Sequence, residues 1–235
     1  MPAEPPAPLD RRALLRRMAI GGAAVWATPM LQSVASAQAA ASCGPGVLDW
    51  DNFTTGSTFT STIIGNTTIT LGIADVVPAN ARTADNARIF NVNAGGIPGK
   101  SLRFAMNATN GNVNNGNRQT ITFAFSNPVT NVAFTLIDID NSTGDGWGDR
   151  IVMLTPNYTF TPAVTSGSTR VIGSGTNGDR FRNFNTDNNL GDTSNAGNVT
   201  IRYAGPITAF SFTYRNQVNT GAAQRIDMGD ITFTC

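Results

Sequence analysis

The stretch whose reading decides the fold is NPVTNVAFTLIDIDNSTGDGWGD, Asn127 to Asp149. It opens as an apolar run, Val129 to Ile139. Side chains alternate along a strand, so Val132, Phe134 and Leu136 face one way and Ala133, Thr135, Ile137 and Ile139 the other. Apolar residues on both faces predict a central strand in a layered β fold. Asp138 and Asp140 are two apart, which on a continuing strand puts them on one face, about 6.6 Å apart. Like charges so placed repel unless water or a cation lies between them. Asn141, Ser142, Gly144, Asp145 and Gly146 then break the strand into a turn-rich loop that carries Trp147 and Asp149.

Outward from this stretch the chain reads as more strands. Thr120 to Phe125 precedes it, with Ile121, Phe123 and Phe125 on one face, and Ile151 to Thr155 follows as its expected hairpin partner. Toward the N-terminus lie Val47 to Phe53, with Val47, Asp49, Asp51 and Phe53 on one face and Leu48 and the expected core residue Trp50 on the other, then Phe59 to Ile64, Thr67 to Ile73, Arg88 to Val92 and Leu102 to Met106. These runs are rich in Thr, Ile and Phe, which suit a pleated surface. The Asn-Gly pairs at Asn110 and Asn115 mark tight turns in a polar loop. Toward the C-terminus come short runs near Thr169 to Ile172 and Asp179 to Phe184. Val199 to Tyr203, Phe210 to Tyr214 and Arg225 to Phe233 complete the series. Helix-length periodicity is missing after the first forty residues. About a dozen short strands with turn signals predict an all-β chain, an antiparallel, jelly-roll-like β-sandwich forming a single domain over residues 40–235.

Residues 1–39 read as a leader. Arg11, Arg12, Arg16 and Arg17 supply a basic region, Met18 to Val34 a weakly apolar one, and Ala35-Ser36-Ala37-Gln38-Ala39 a small-residue cleavage site. With its paired arginines the leader resembles a twin-arginine (Tat) signal, with an ordinary Sec signal as the alternative. Either predicts export, to the periplasm, the cell surface or the medium. The Gly-rich run is too short for a transmembrane anchor, so no membrane span is expected in the mature protein.

Charge and composition narrow the function. Of 16 Lys and Arg the leader holds four, leaving 12, and of 15 Asp and Glu it holds two, leaving 13, so the mature net charge is −1. No basic run argues for nucleic acid. The mature part has no Glu and no His. This removes His-dependent nucleophilic machinery and the usual zinc ligands. An Asp pair such as Asp138 and Asp140 is the remaining hydrolytic option. The two cysteines, Cys43 and Cys235, lie at the two ends of the mature domain. In an exported chain they read as a disulfide.

Several segments carry a resemblance. Thr120–Asp140 (TITFAFSNPVTNVAFTLIDID), the GDRIVM after it, ITAFSFTYRN and RIDMGDITF together resemble a recurring bacterial secreted or surface β-sandwich domain. The last strand is also similar to the closing strand of jelly-roll carbohydrate-binding modules, in which an acidic residue before the final apolar pair binds a structural calcium. The matching residue is Asp230, before Ile231 and Phe233, and the resemblance implies a partner in Asp49 or Asp51.

Two candidate cation sites follow. One is the loop set Asp138, Asp140, Asp145 and Asp149; the other is the terminal set Asp49, Asp51 and Asp230. The loop is not an EF-hand, because Thr143 and Asp149 stand where Gly and Glu are needed. Calcium nevertheless requires only six to eight oxygens in flexible geometry. A solvated Asp- and Gly-rich hairpin is the competing reading. Trp147 either stacks on a sugar ring or folds back onto the sandwich edge. Arg180 and Arg182 beside Phe181 and Phe184 fit a half-buried strand better than a ligand strip. The expected function is a non-catalytic, calcium-supported adhesion or carbohydrate-binding module meeting an extracellular glycan or surface protein. A structural envelope protein is the alternative, and an Asp-pair polysaccharide hydrolase the third reading.

Overall fold

In a computed structural model the described residues are 44–75, 83–107, 118–142, 147–165, 168–184, 187–216 and 223–235. The expected leader and Cys43 lie outside them. The strands are β1 Pro45–Leu48, β2 Ser61–Ile64, β3 Thr67–Asp75, β4 Arg88–Phe90, β5 Ser101–Asn107 and β6 Arg118–Ile137. Then come β7 Asn141–Ser142, β8 Trp147–Met153, β9 Thr159–Pro162, β10 Val164–Thr165, β11 Ser168–Thr169, β12 Val171–Ile172, β13 Arg182–Asn183 and β14 Asp187–Asn188. The last four are β15 Val199–Tyr203, β16 Ile207–Asn216, β17 Ala223–Met228 and β18 Ile231–Thr234. The pairings are antiparallel, and the fold is an all-β sandwich, as the sequence predicts.

The fold turns on β6, which serves two sheets. Its first half pairs with β3 on one side and β16 on the other, and β2 and β8 extend this sheet outward. Its second half pairs with β15 on one side and with β17 and β18 on the other. β9 extends this second sheet beyond β15, β5 and β4 extend it beyond β17, and β1 lies outside β18. Thr120 to Phe125 and Val129 to Ile137 are thus one strand, bent at Ser126–Asn131, and the expected run to Ile139 stops two residues short. Between the pairs Ile207–Val129 and Ala209–Ala124, β16 advances two residues and β6 five. Pro128 sits in that gap, where its missing N–H costs no ladder bond. Asn131 takes a φ of 51°, a left-handed conformation that Asn tolerates better than most residues. A strand that changes sheets through a bend or bulge is a standard corner between packed sheets.

The core lies between the two halves of β6. Phe210 of β16 stacks on Phe134 at 4.3 Å between ring centroids and on Phe123 at 5.1 Å, with Tyr203 at 6.1 Å. Phe123 belongs to the first sheet and Phe134 and Tyr203 to the second, so this one ring ties the layers together. All four are essentially inaccessible to solvent.

Three sequence expectations are corrected. Ile151 to Thr155 is not the hairpin partner of the central stretch: β8 pairs with β16 and, briefly, with β7. The run Val47 to Phe53 stops being a strand at Leu48. Asp49 caps a 3-10 turn, Trp50–Asn52, by accepting from Asp51 N–H, though Trp50 is buried as expected. Arg225 to Phe233 is two strands, because Gly229 and Asp230 interrupt it.

Candidate functional site: an acidic cleft at the end of the central strand

β6 ends at Ile137, and the chain then kinks. Asp138 has a φ of 67°, so the spacing-of-two argument does not apply to Asp138 and Asp140 as strand neighbours. The kink is held from outside. Ile139 N–H donates to the Gly197 carbonyl at 2.9 Å. A Cβ on Gly197 would come within 2.9 Å of Ile139 N and 3.2 Å of the Asp138 Cα, so only glycine allows this approach. Asp140 and Asp149 then bond reciprocally: Asp149 N–H donates to the Asp140 carbonyl at 3.0 Å, and Asp140 N–H to Asp149 Oδ2 at 3.2 Å.

The kink delivers Asp138 and Asp140 to one cavity of about 310 Å³. Thr83, Arg103, Gln224 and Arg225 also line it. Asp138 is 7% exposed; its Oδ1 is buried without a hydrogen-bond partner among the described residues, and its Oδ2 lies 3.9 Å from Arg225 Nε. Arg225 reaches Asp192 as well, at 2.6 Å. Asp140 Oδ2 accepts from Leu190 N–H at 2.7 Å. Beneath the cleft, Arg103 holds Asp227 through two bonds of 3.0 Å and lies 3.9 Å above the Phe90 ring.

Burial dominates the electrostatics, because a carboxylate removed from water is penalised in its charged form. Burial, then the nearby Asp140, pushes Asp138 up to about 8. Burial pushes Asp140 up to about 7, against the opposing bonds from Leu190 and Asp149. Asp149, wholly buried, is held well above the usual carboxylate range by burial and by Asp140, although Tyr214 O–H donates to its Oδ1 at 2.6 Å.

The expected loop set is thus divided. Asp138 and Asp140 face the cleft, and Asp149 sits deeper, with its oxygens engaged by Tyr214 and by the Asp140 backbone. Asp145 and the side chain of Trp147 lie outside the described residues. To a hard cation the cleft offers two carboxylates, one with a buried oxygen that has no hydrogen-bond partner among the described residues, and no group of three metal-binding side chains converges among those residues.

The terminal set works as caps. Asp230 Oδ1 accepts from Trp50 N–H at 3.0 Å, and Asp51 Oδ1 from Lys100 N–H at 2.8 Å. Lys100 Nζ also donates to the Asp51 and Phe53 carbonyls at 3.0 and 2.7 Å. Burial, then the neighbouring Asp49 and Asp51, raise the Asp230 pKa, so the three acids do lie near one another.

Thr83, Arg103, Gln224 and Arg225 were not among the candidates read from the sequence. Gln224 and Arg225 fall in or beside the Arg225 to Phe233 run, but nothing in that run distinguishes a cleft residue from a strand residue. The fold is an all-β antiparallel sandwich with a recessed acidic cleft at the end of its shared strand. No protein-family model, curated protein or solved structure matches the chain. Among the described residues no helix is long and apolar enough to cross a membrane.

Proposed function

We propose that the chain is an exported, non-catalytic carbohydrate-binding module whose site is this cleft. The observation that carries the reading is a set of buried polar atoms lacking partners among the described residues, all on residues lining one cavity. They are Asp138 Oδ1, Thr83 Oγ1 and both side-chain amide atoms of Gln224. Each costs roughly 1–3 kcal/mol while unsatisfied. The set mixes donors and acceptors, which suits the hydroxyls of a sugar, each able to do both. A cation alone would satisfy Asp138 and leave the Gln224 amide unanswered. Calcium enters as support: Asp138 and Asp140 would hold it, and it would neutralise a pair that otherwise repels.

The test is glycan binding by the mature protein, measured on an array and by calorimetry, with and without chelator. Gln224→Ala and Asp138→Asn should each weaken binding at least tenfold, and chelator should weaken it in the parent protein. A mature protein that retains no glycan in either condition removes this reading and leaves a structural envelope role. The raised carboxyls of Asp138 and Asp140 favour one further reading, a polysaccharide hydrolase with one acid protonated and one ionised. Turnover that disappears in Asp140→Asn would establish it over the binding module.

A further inference from the structure

The cleft at the end of β6 carries an excess of negative charge, and its cations are already engaged. Its lining holds four aspartates, Asp85, Asp138, Asp140 and Asp192, and two arginines, Arg103 and Arg225. Arg103 is held by Asp227 beneath the cleft, through two bonds of 3.0 Å. Arg225 donates to Asp192 at 2.6 Å, and Asp85 lies 3.7 Å from Arg88. With these pairs set aside, Asp138 and Asp140 remain. Among the described residues the one ion pair they make is between Asp138 Oδ2 and Arg225 Nε, at 3.9 Å, which is beyond hydrogen-bond distance.

A second observation points to a ligand independently of charge. Gln224 is 5% exposed, and neither its amide oxygen nor its amide nitrogen has a hydrogen-bond partner among the described residues. Thr83 Oγ1 and Asp138 Oδ1, on residues lining the same cavity, are in the same state. Calcium calls for six to eight oxygens, whereas an ammonium has three N–H donors and is satisfied by about three acceptors. An ammonium cannot accept from the Gln224 amide nitrogen, but a hydroxyl can. The cleft therefore asks for one ligand that carries both a compact cation and hydroxyls. Its volume of about 310 Å³ lies at the low end of small-ligand pockets, which run from about 300 to 1,000 Å³, and suits a single ring of a longer chain.

We propose that the cleft selects an amino sugar, with the protonated amine of one ring answering Asp138 and Asp140 and the ring hydroxyls answering Gln224 and Thr83. The inference rests on the reading of the cleft as a carbohydrate site and names the class of sugar. Hydrogen bonds from an ammonium to a carboxylate are roughly twice as strong as neutral ones. A neutral or N-acetylated ring would leave the two carboxylates facing each other without a cation, and a uronic acid would add a further negative charge. A sugar that brings its own cation takes the place that calcium would hold for a neutral glycan, so the amine and calcium compete for one pair of residues.

The experiment titrates the mature protein by calorimetry with a glucosamine tetrasaccharide, its fully N-acetylated counterpart, cellotetraose and spermidine, in a buffer that keeps amines protonated. The glucosamine oligomer should bind about tenfold tighter than the other three, or more. Chelator should leave that binding undiminished and added calcium should weaken it, the reverse of what a neutral glycan shows. Asp138→Asn should remove the preference for the amine. Asp192→Asn, at an exposed position, frees Arg225 to pair with Asp138 and should reduce the preference without disturbing the core. A neutral or N-acetylated tetrasaccharide bound as tightly as the amine would overturn the amino-sugar inference and leave the carbohydrate reading standing. Spermidine bound as tightly, or a preference unchanged in both variants, would overturn it as well. Binding of none of the three tetrasaccharides would remove the inference and the carbohydrate reading together.

Discussion

Asp138 shows how one backbone angle creates a chemical problem. Its left-handed φ turns the chain out of β6 and leaves a carboxyl in the cleft with one oxygen unanswered. Burial and Asp140 raise its pKa to about 8 from an ordinary value of 3.8. The folded protein therefore holds a proton that the unfolded chain has already released over most of that interval. Its contribution to stability is fully present below the unfolded pKa and is lost as pH rises through the folded one, with Asp140 adding in the same direction up to about 7. In chelator, the melting temperature should fall by several degrees between about pH 5 and about pH 9, and Asp138→Asn should flatten that fall. A parent melting temperature that is constant or rises across this window would show that the carboxyls are solvated. Arg103 and Asp227 behave differently. Their paired bonds satisfy both charges, and Asp227 is raised only against the pull of that arginine.

At the scale of elements, the shared strand is the critical piece. β6 must bend between its two sheets, and Pro128 with Asn131 makes the bend. Asn131 is exposed, so the demand on it is conformational. Asn131→Val places a β-branched residue where φ is 51° and should cost about 1–2 kcal/mol, read from the denaturant midpoint. Asn131→Gly, which relieves the same strain, should match or exceed the parent. Equal losses in both variants would mean that the Asn side chain, not the backbone angle, matters there.

For the whole molecule, the important feature is that the sandwich closes its own ends. β1 and β18 pair from Pro45–Thr234 to Leu48–Ile231, which sets the first described residues beside the last. Cys235 packs against the core, with its Sγ 3.2 Å from Thr67 Oγ1. We expect a Cys43–Cys235 disulfide in the exported protein. It would close nearly the whole mature chain into one loop and contribute up to about 5 kcal/mol in the chain-entropy picture. Peptide mapping without reductant should recover one linked peptide, and Cys235→Ser should lower the melting temperature. Two alkylatable thiols in protein collected from outside the cytoplasm would refute the clasp. Such a clasp can close after the core has formed.

The sequence by itself determined the class. Alternation in Thr120 to Phe125 and Val129 to Ile137 predicted strands, because side-chain direction along a strand is local. The absence of His from the chain, and of Glu after Glu4, removed whole chemistries from the candidates. Asp138 and Asp140 were legible as candidates because acids beside a strand end are conspicuous. Tertiary structure alone decided the rest. It joined two predicted strands into one through a bend that no periodicity encodes, and it paired β8 with β16 instead of with the central strand. It separated Asp149 from the cleft and brought Gln224, Arg225 and Thr83 into it from distant segments. The physical reason is the same throughout: alternation records which face a residue takes, while register and partner depend on how distant segments bury those faces together.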